Sequence, residues 1–233
     1  MKKPAKQALL KKLVARLYDK LSAQGYQLAK KNEEYRFRYA QGEIMLFQNV
    51  QYTESLIVDC KYFVHNELID ALVERVTVAC LPSWQHSPYF YYSSKRVYGD
   101  KMNEMVGATQ MEALPFLSID NEVDVIRIAD HQLEYIERVV QKYFGQFKDM
   151  ARIYRFLSPY LLDLGEEELV ITDQADPLYG YLAFNEYVSL MTAARLIEAV
   201  DYEEISRRVL KIFDGLFIHK AYVKLDEILR AEY

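Results

Sequence analysis

Residues 35–64 have the sequence YRFRYAQGEIMLFQNVQYTESLIVDCKYFV, and this stretch decides the fold class. Aromatic residues alternate with arginines at its start, and β-branched and aromatic residues predominate at its end, as in strands with one buried face. The pair Gln41-Gly42, after its first aromatic residues, predicts a tight turn. The short spacings predict an antiparallel meander built from Tyr35–Tyr39, Glu43–Val50 and Leu56–Val64.

The segment before the meander has the apolar spacing of an amphipathic helix. Its leucines and a valine recur every three or four residues, while lysines and an arginine occupy other positions. The apolar positions are Leu9, Leu10, Leu13, Val14, Leu17 and Leu21. Pro4 suits the first turn of this helix, and Gly25 suits its C-cap. Because a small meander alone would leave its apolar face in water, we expect the helix to pack across that face.

Beyond the meander the pattern is mainly helical. Asn66 is a candidate N-cap for a helix over Glu67–Val78, although the tail VTVACL is also typical of a strand. From Ser118 onward apolar residues recur at helical spacing. They predict one long helix over about 120–146, followed by a second helix that Pro159 is expected to end.

The last part of the chain predicts three more helices. The first covers Pro177–Val200, the next follows a capping box formed by Asp201 and Glu204, and the last covers residues 220–231. The stretch Ala193–Gly215 resembles one helical hairpin of a tetratricopeptide-type array. No second copy lies about 34 residues away, so the resemblance implies a helix–turn–helix pairing and not a solenoid.

These patterns together predict an α+β fold, in which an N-terminal helix packs on an antiparallel β-meander and a mainly helical C-terminal half follows. We expect an α+β domain over residues 1–118 and a helical domain or subdomain over residues 119–233, with a shared interface. Glycine and proline make up 14 of 233 residues. This share of about 6%, where roughly 12% is usual, supports long regular elements and argues against a turn-rich sandwich.

The cysteines and the hydropathy pattern predict a cytoplasmic protein without a membrane segment. Lysines interrupt the apolar residues near the N-terminus, so we expect no signal peptide. No window approaches the ~18 consecutive apolar residues of a membrane span. Cys60 and Cys80 form no C-x-x-C pair, which predicts two buried thiols in a reducing compartment.

The formal net charge of −5 is unevenly distributed along the chain. Residues 1–38 contain 11 Lys and Arg against 3 Asp and Glu, whereas the other residues contain 18 against 31. No basic residue lies between Arg155 and Arg195, where seven acidic residues occur. Such an asymmetry either steers a charged partner or reflects two solvated faces of an ordinary fold.

Motifs for catalysis or cofactor binding are absent from the sequence. Its four histidines form no i, i+4 pair and no H-E-x-x-H, and there is no G-x-S-x-G nucleophile turn. The eight glycines form no phosphate-binding motif, so neither a metal nor a cofactor is expected. One alternative left open is an enzyme with a dispersed, hydrolase-like site that uses His86 and nearby carboxylates.

The aromatic segment near residue 84 is the most distinctive feature of the sequence. It holds the only tryptophan, a histidine and four consecutive aromatic residues, a composition favoured at protein interfaces. The opposing interpretation is that this loop covers the sheet and fills its core. With an acidic run further along, the candidate partner-binding residues are Trp84, His86, Tyr89, Phe90, Tyr91, Tyr92, Glu166, Glu167 and Glu168.

The sequence therefore predicts a protein–protein interaction module, of adaptor or inhibitor type, whose acidic and aromatic surface binds another, basic protein. The remaining alternative is nucleic-acid binding by Lys30, Lys31, Arg36 and Arg38, which are interleaved with tyrosines. A pI of about 5.5 argues against it. Arg36 and Arg38 are expected on an outward strand face, where the acidic half of the molecule could pair with them.

Overall fold

The computed structural model describes most of the chain. The described residues are 3–31, 34–39, 42–49, 55–81, 96–97, 102–103, 106–108, 116–163, 165, 177–216 and 218–233. Their elements, in chain order, are α1 (Lys3–Leu21), β1 (Gln27–Lys31), β2 (Glu34–Tyr39), β3 (Gly42–Asn49), β4 (Leu56–Val64), α2 (Glu67–Cys80), β5 (Arg96–Val97), β6 (Phe116–Ile119), α3 (Glu122–Tyr135), a π-helical segment (Ile136–Val140), α4 (Gln141–Gln146), α5 (Met150–Leu162), α6 (Pro177–Leu196), α7 (Tyr202–Ile212) and α8 (His219–Glu232). This order confirms the predicted fold class.

The chain forms two compact units, each built from two stretches of sequence. Unit 1 comprises Met1–Val64 and Val97–Gly145, and unit 2 comprises His65–Arg96 and Gln146–Tyr233. Thus α2 belongs with the C-terminal helices, and α3 belongs with the sheet. These bounds differ from the division at residue 118, which stays a prediction about folding domains.

The sheet of unit 1 is an antiparallel meander in the order β1-β2-β3-β4, with β5 and β6 next to β4. Phe37 lies opposite Ile44, and Ile44 lies opposite Tyr62, so these three side chains share one face. β1 was not predicted, because its sequence QLAKK is polar and typical of an edge strand. It pairs with β2 along its whole length.

Helix α1 supplies a large part of the unit 1 core. Leu13 is fully buried, and Leu17 and Leu21 are nearly so. The helix contacts α3 and strands β2 and β4, which confirms the predicted packing on the meander. After a short 3₁₀ turn the backbone reaches Gly25 at φ +91°, where glycine avoids the Cβ clash of the left-handed region.

The region expected to be helical from Ser118 onward begins instead with strand β6. Leu117 and Ile119 are buried and Ser118 is exposed, which is the alternation of a strand paired with β4. The helix starts at Glu122, after Asn121 accepts hydrogen bonds from two backbone N–H groups of the first turn. The long helix predicted over 120–146 is confirmed, with a π-helical segment inside it.

In the described part of unit 2 the regular elements are helices, apart from the strand residue Arg96. Helix α2 continues to Cys80, so the strand alternative for VTVACL is wrong, and Asn66 caps it as predicted. Helix α5 runs three residues past Pro159, contrary to expectation. Pro159 and Arg155 are exposed, so water can bond the carbonyl that loses its N–H partner.

The α6–α7 pair confirms the predicted helix–turn–helix, with two corrections. Helix α6 ends at Leu196 and not at Val200, which is fully exposed in the turn. The side chain of Asp201 makes no capping bond. Its carboxylate instead accepts a hydrogen bond from the Tyr154 hydroxyl at 2.6 Å, so this group is engaged by α5 rather than by the start of α7.

Candidate functional site

The partner-binding residues predicted from the sequence lie outside the part of the chain that the structure describes. Their placement therefore stays a prediction. They are Trp84, His86, Tyr89, Phe90, Tyr91, Tyr92, Glu166, Glu167 and Glu168.

The arginines of β2 are engaged by carboxylates on the sheet itself. Arg36 is only 5% exposed, so its predicted outward position is wrong. It donates to Glu34 at 2.6 Å and to Glu43 at 3.2 Å. Arg38 lies opposite Glu43 in the register and donates to it at 3.0 Å. Thus Glu34 and Glu43, the carboxylates that bind these two arginines, belong to neighbouring sheet positions.

Three basic side chains of α1 also contact groups within unit 1. Lys12 contacts Glu122 of α3 at 2.5 Å, and Arg16 contacts Asp130 at 2.9 Å. Lys6 is nearly buried and donates to the backbone carbonyl of Ser55 at 2.7 Å. Unit 1 as a whole contains 16 Lys and Arg against 15 Asp and Glu, so its formal charge is +1. The basic excess of the first 38 residues is therefore balanced within the unit that contains it.

The negative charge of the protein belongs to unit 2. This unit contains 13 Lys and Arg against 19 Asp and Glu, a formal charge of −6. A net field of this sign attracts cationic partners at physiological ionic strength over roughly 8 Å. An acidic surface of the protein must therefore be sought on this unit.

The two cysteines differ in their surroundings. Cys60 is buried on β4, and its thiol lies 3.7 Å from Gln132, which also accepts a hydrogen bond from Tyr62 at 3.0 Å. Burial raises the pKa of the Cys60 thiol to about 12, so it stays protonated. Cys80 lies in the last turn of α2 and is only partly buried. The predicted burial is confirmed for Cys60 and wrong for Cys80.

Helices α2 and α8 of unit 2 form an open groove. Each helix contributes a stripe of residues at the spacing i, i+3, i+4, i+7 and i+8, which places the stripe on one helical face. The groove, which we name the α2–α8 groove, has a volume of about 760 Å³. It is lined by Ala71, Glu74, Arg75, Val78, Ala79, Lys224, Glu227, Ile228, Ala231 and Glu232.

The described lining of this groove combines five apolar and five charged residues. Val78 is 50% exposed, and Ile228 forms a largely buried part of the lining. Alanines supply the rest of the apolar surface. An apolar concave surface with a few charged groups is the usual composition of a recognition site.

A salt bridge joins the two walls of the α2–α8 groove. Arg75 of α2 contacts both carboxylate oxygens of Glu232 of α8, at 2.5 and 2.8 Å. These hydrogen bonds lower the pKa of Glu232. A bidentate pair fixes geometry better than a single contact does. The pair thus connects the two walls at one point of the groove.

A second, polar depression of about 340 Å³ lies beside the α6–α7 turn. Tyr202, one of its lining residues, donates to Asp226 at 2.7 Å, and Asp226 also accepts from Ser206 and Arg230. Burial alone would raise the pKa of Asp226, but these hydrogen bonds hold it below its usual value. Arg230 is further bound by Glu203. The polar groups here mainly join α7 to α8.

Among the residues that the structure describes, no three His, Cys, Asp or Glu side chains are grouped so that they could hold a metal ion. Within the same residues, every helix is too short or too polar to cross a membrane. His65 lies 3.3 Å from Asp70, and His219 lies 3.7 Å from Asp214. Both are partly exposed histidine–carboxylate pairs.

Sequence reasoning missed the α2–α8 groove. The apolar face predicted for α2 contained Leu68, Ile69, Leu72, Val73 and Val76. The overlooked signal was that α2 also carries Ala71 and Val78 outside that face, so its apolar surface is wider than burial against one neighbour requires. Comparison of the chain with protein-family models, with curated proteins and with solved structures gave no match.

Proposed function

We propose that the protein is a protein–protein interaction module in which acidic unit 2 binds a basic partner protein through the α2–α8 groove. The observation that carries this proposal is an open apolar groove on the unit that has a formal charge of −6. Apolar contact would supply most of the affinity, and the charge would raise the rate of association and select for a cationic partner.

The exposure of Val78 supports a binding role for the groove. An isolated exposed valine is ordinary, but this one adjoins Ala79 on α2 and shares the groove with Ile228 and Ala231 of α8. Covering such a surface removes contiguous apolar area from water. A cytoplasmic location remains part of this proposal, since Cys60 and Cys80 form no disulfide.

The nucleic-acid alternative receives no comparable support. Free basic groups are needed to replace the counterions of a phosphate backbone. Of the residues of this alternative, Arg36 and Arg38 each contact a carboxylate within unit 1, and the Lys30 ammonium lies 5.2 Å from the centre of the Tyr35 ring. The dispersed enzyme site rests on His86, which lies outside the described residues.

Two arginine substitutions test the proposal. Val78→Arg places a charge in the groove, and Val200→Arg makes the same change at a fully exposed turn of the same unit, outside the groove. The full chain and both variants are immobilised, used to capture proteins from an extract of the source cells, and compared. Each protein that Val200→Arg retains and Val78→Arg loses is purified and titrated against the three chains by calorimetry.

We expect Val78→Arg to weaken binding of the purified partner about 30-fold or more, the equivalent of ~2 kcal/mol at a hot spot. Val200→Arg should bind like the unsubstituted chain. If Val78→Arg and Val200→Arg capture the same proteins with the same affinity, the groove is not the binding surface.

A further inference from the structure

We infer that the segment bound in the α2–α8 groove is an amphipathic, basic α-helix, an inference that rests on the proposed function. Three observations support this inference. The two walls have the length and residue spacing of helical stripes, the described lining lacks the groups that other peptide conformations need, and charged residues line the groove.

The walls of the groove have the length of two helical turns. On α2 the stripe runs from Ala71 to Ala79, and on α8 it runs from Lys224 to Glu232. At ~1.5 Å per residue, each stripe is about 12 Å long. A third helix in this groove would place the side chains of positions i, i+3, i+4 and i+7 between the two stripes.

The described residues of the groove do not provide the groups that other common modes of peptide recognition need. An extended peptide adds to a sheet edge, whereas both walls are helices whose backbone groups are bonded internally. A polyproline segment needs an aromatic groove, and none of the described residues that line this groove is aromatic. A phosphorylated motif needs an arginine cluster, and among the same described residues Arg75 alone is an arginine, bound to Glu232. A helix that fits into the groove is the remaining mode.

The small residues of the lining favour close approach of a helix. Alanines at positions 71, 79 and 231 keep the walls low, so a third helix axis can come nearer than bulky side chains would allow. The volume of about 760 Å³ lies within the range of pockets that bury whole ligands. Leucine-sized side chains on the bound helix would fill the space above Val78 and Ile228.

The charges along the groove determine the flanks of the bound helix. Glu74, Glu227 and Glu232 line it against Arg75 and Lys224, and the cations are bound to Glu232 and Glu227 respectively. Glu74 has no ion-pair partner among the described residues. Since glutamates outnumber basic residues in this described lining, lysines or arginines that flank the apolar face of the partner helix are favoured over acidic residues.

The experiment uses the full chain and synthetic peptides of Ala, Leu and Lys. The probe is a fluorescent peptide of about 18 residues, long enough to form a helix, with leucines at i, i+3, i+4 and i+7 and lysines beside them. A scrambled peptide has the same composition without an apolar face, and a third peptide has glutamates in place of the lysines. Binding is measured by fluorescence anisotropy, and helix formation is measured by circular dichroism.

We expect the amphipathic lysine peptide to bind and to gain helicity, and to bind at least tenfold more tightly than the scrambled and glutamate peptides. Val78→Arg should weaken binding of this peptide at least tenfold, and Val200→Arg should leave its affinity unchanged. Glu74→Lys should also weaken binding, and this loss should be larger at low ionic strength than at high ionic strength. Equal binding of the scrambled peptide, or binding that Val78→Arg does not alter, would overturn the inference.

The two proposals can fail separately. If Val78→Arg abolishes binding of a purified partner while no helical peptide binds, the groove is a protein-binding surface and the inferred helix is wrong. If the partner and the peptides bind Val78→Arg as they bind the unsubstituted chain, both proposals are wrong.

Discussion

Glu43→Gln should destabilise unit 1 far more than the same change at Glu122. The Glu43 carboxylate is held by two arginines, at 3.2 Å from Arg36 and 3.0 Å from Arg38, and its side chain is 9% exposed. The Glu122 carboxylate makes one contact, with Lys12, and its side chain is 70% exposed. The chemical change is identical, so the difference in unfolding free energy measures what burial adds to the ion pair.

The expected loss of unfolding free energy depends on which contacts of the two arginines remain in Glu43→Gln. Removing one partner of a buried pair costs about 3–5 kcal/mol, because the other charge is left in a medium of low polarity. Arg36 keeps its contact with Glu34 at 2.6 Å, and glutamine still offers one acceptor oxygen. We therefore expect ~2 kcal/mol for Glu43→Gln. An exposed pair is worth roughly 0–1 kcal/mol, which bounds the effect of Glu122→Gln.

Urea unfolding monitored by circular dichroism measures the loss of unfolding free energy for each variant. Repeating the measurement in high salt distinguishes the buried ion pair from the exposed one. Addition of 1 M NaCl shortens the screening length to about 3 Å, so the effect of Glu122→Gln should vanish while that of Glu43→Gln persists. If the two variants differ by less than about 0.5 kcal/mol in low salt, the buried network does not contribute to stability in the way its geometry indicates.

Two further predictions concern the core and the thiols. Leu13→Ala should lower the unfolding free energy by about 2–5 kcal/mol, since Leu13 is fully buried between α1 and its neighbours; an unchanged urea midpoint would contradict the packing of α1. A thiol reagent should label Cys80 in the folded protein and label Cys60 only after unfolding, because burial raises the pKa of Cys60 to about 12; rapid labelling of both would contradict this placement.

The parts of the fold that short-range patterns specify were predicted correctly. The spacing of the leucines around Leu13 identified α1, and the alternation at Phe37 identified β2 together with its buried face. Both signals come from residues that are close in sequence, within two turns of a helix or a few positions of a strand. The N-cap at Asn66 was predicted for the same reason, because capping involves a side chain and a backbone group three residues away.

The failures involve partners that sequence patterns do not identify. Arg36 alternates with aromatic residues and therefore resembles a solvated strand residue, whereas the register with β3 brings Glu43 to it. Asp201 has the spacing of a cap but is engaged by Tyr154 of another helix. The α2–α8 groove joins Arg75 to Glu232 across 157 positions, and no local period contains that information.

The discontinuous make-up of the two units affects how the chain folds during synthesis. When Val64 leaves the ribosome, the strands of unit 1 still lack α3, which lies in a stretch that ends about 80 residues later at Gly145. At synthesis rates of ~5–20 residues per second, the face of the meander that α3 covers stays uncovered for roughly 4–16 s. Helix α2 remains without its contact to α8 for longer still, because α8 is synthesised last among the described helices. Nascent chains stalled after Val64 and after Gly145 should therefore differ sharply in their resistance to protease and in their need for chaperones.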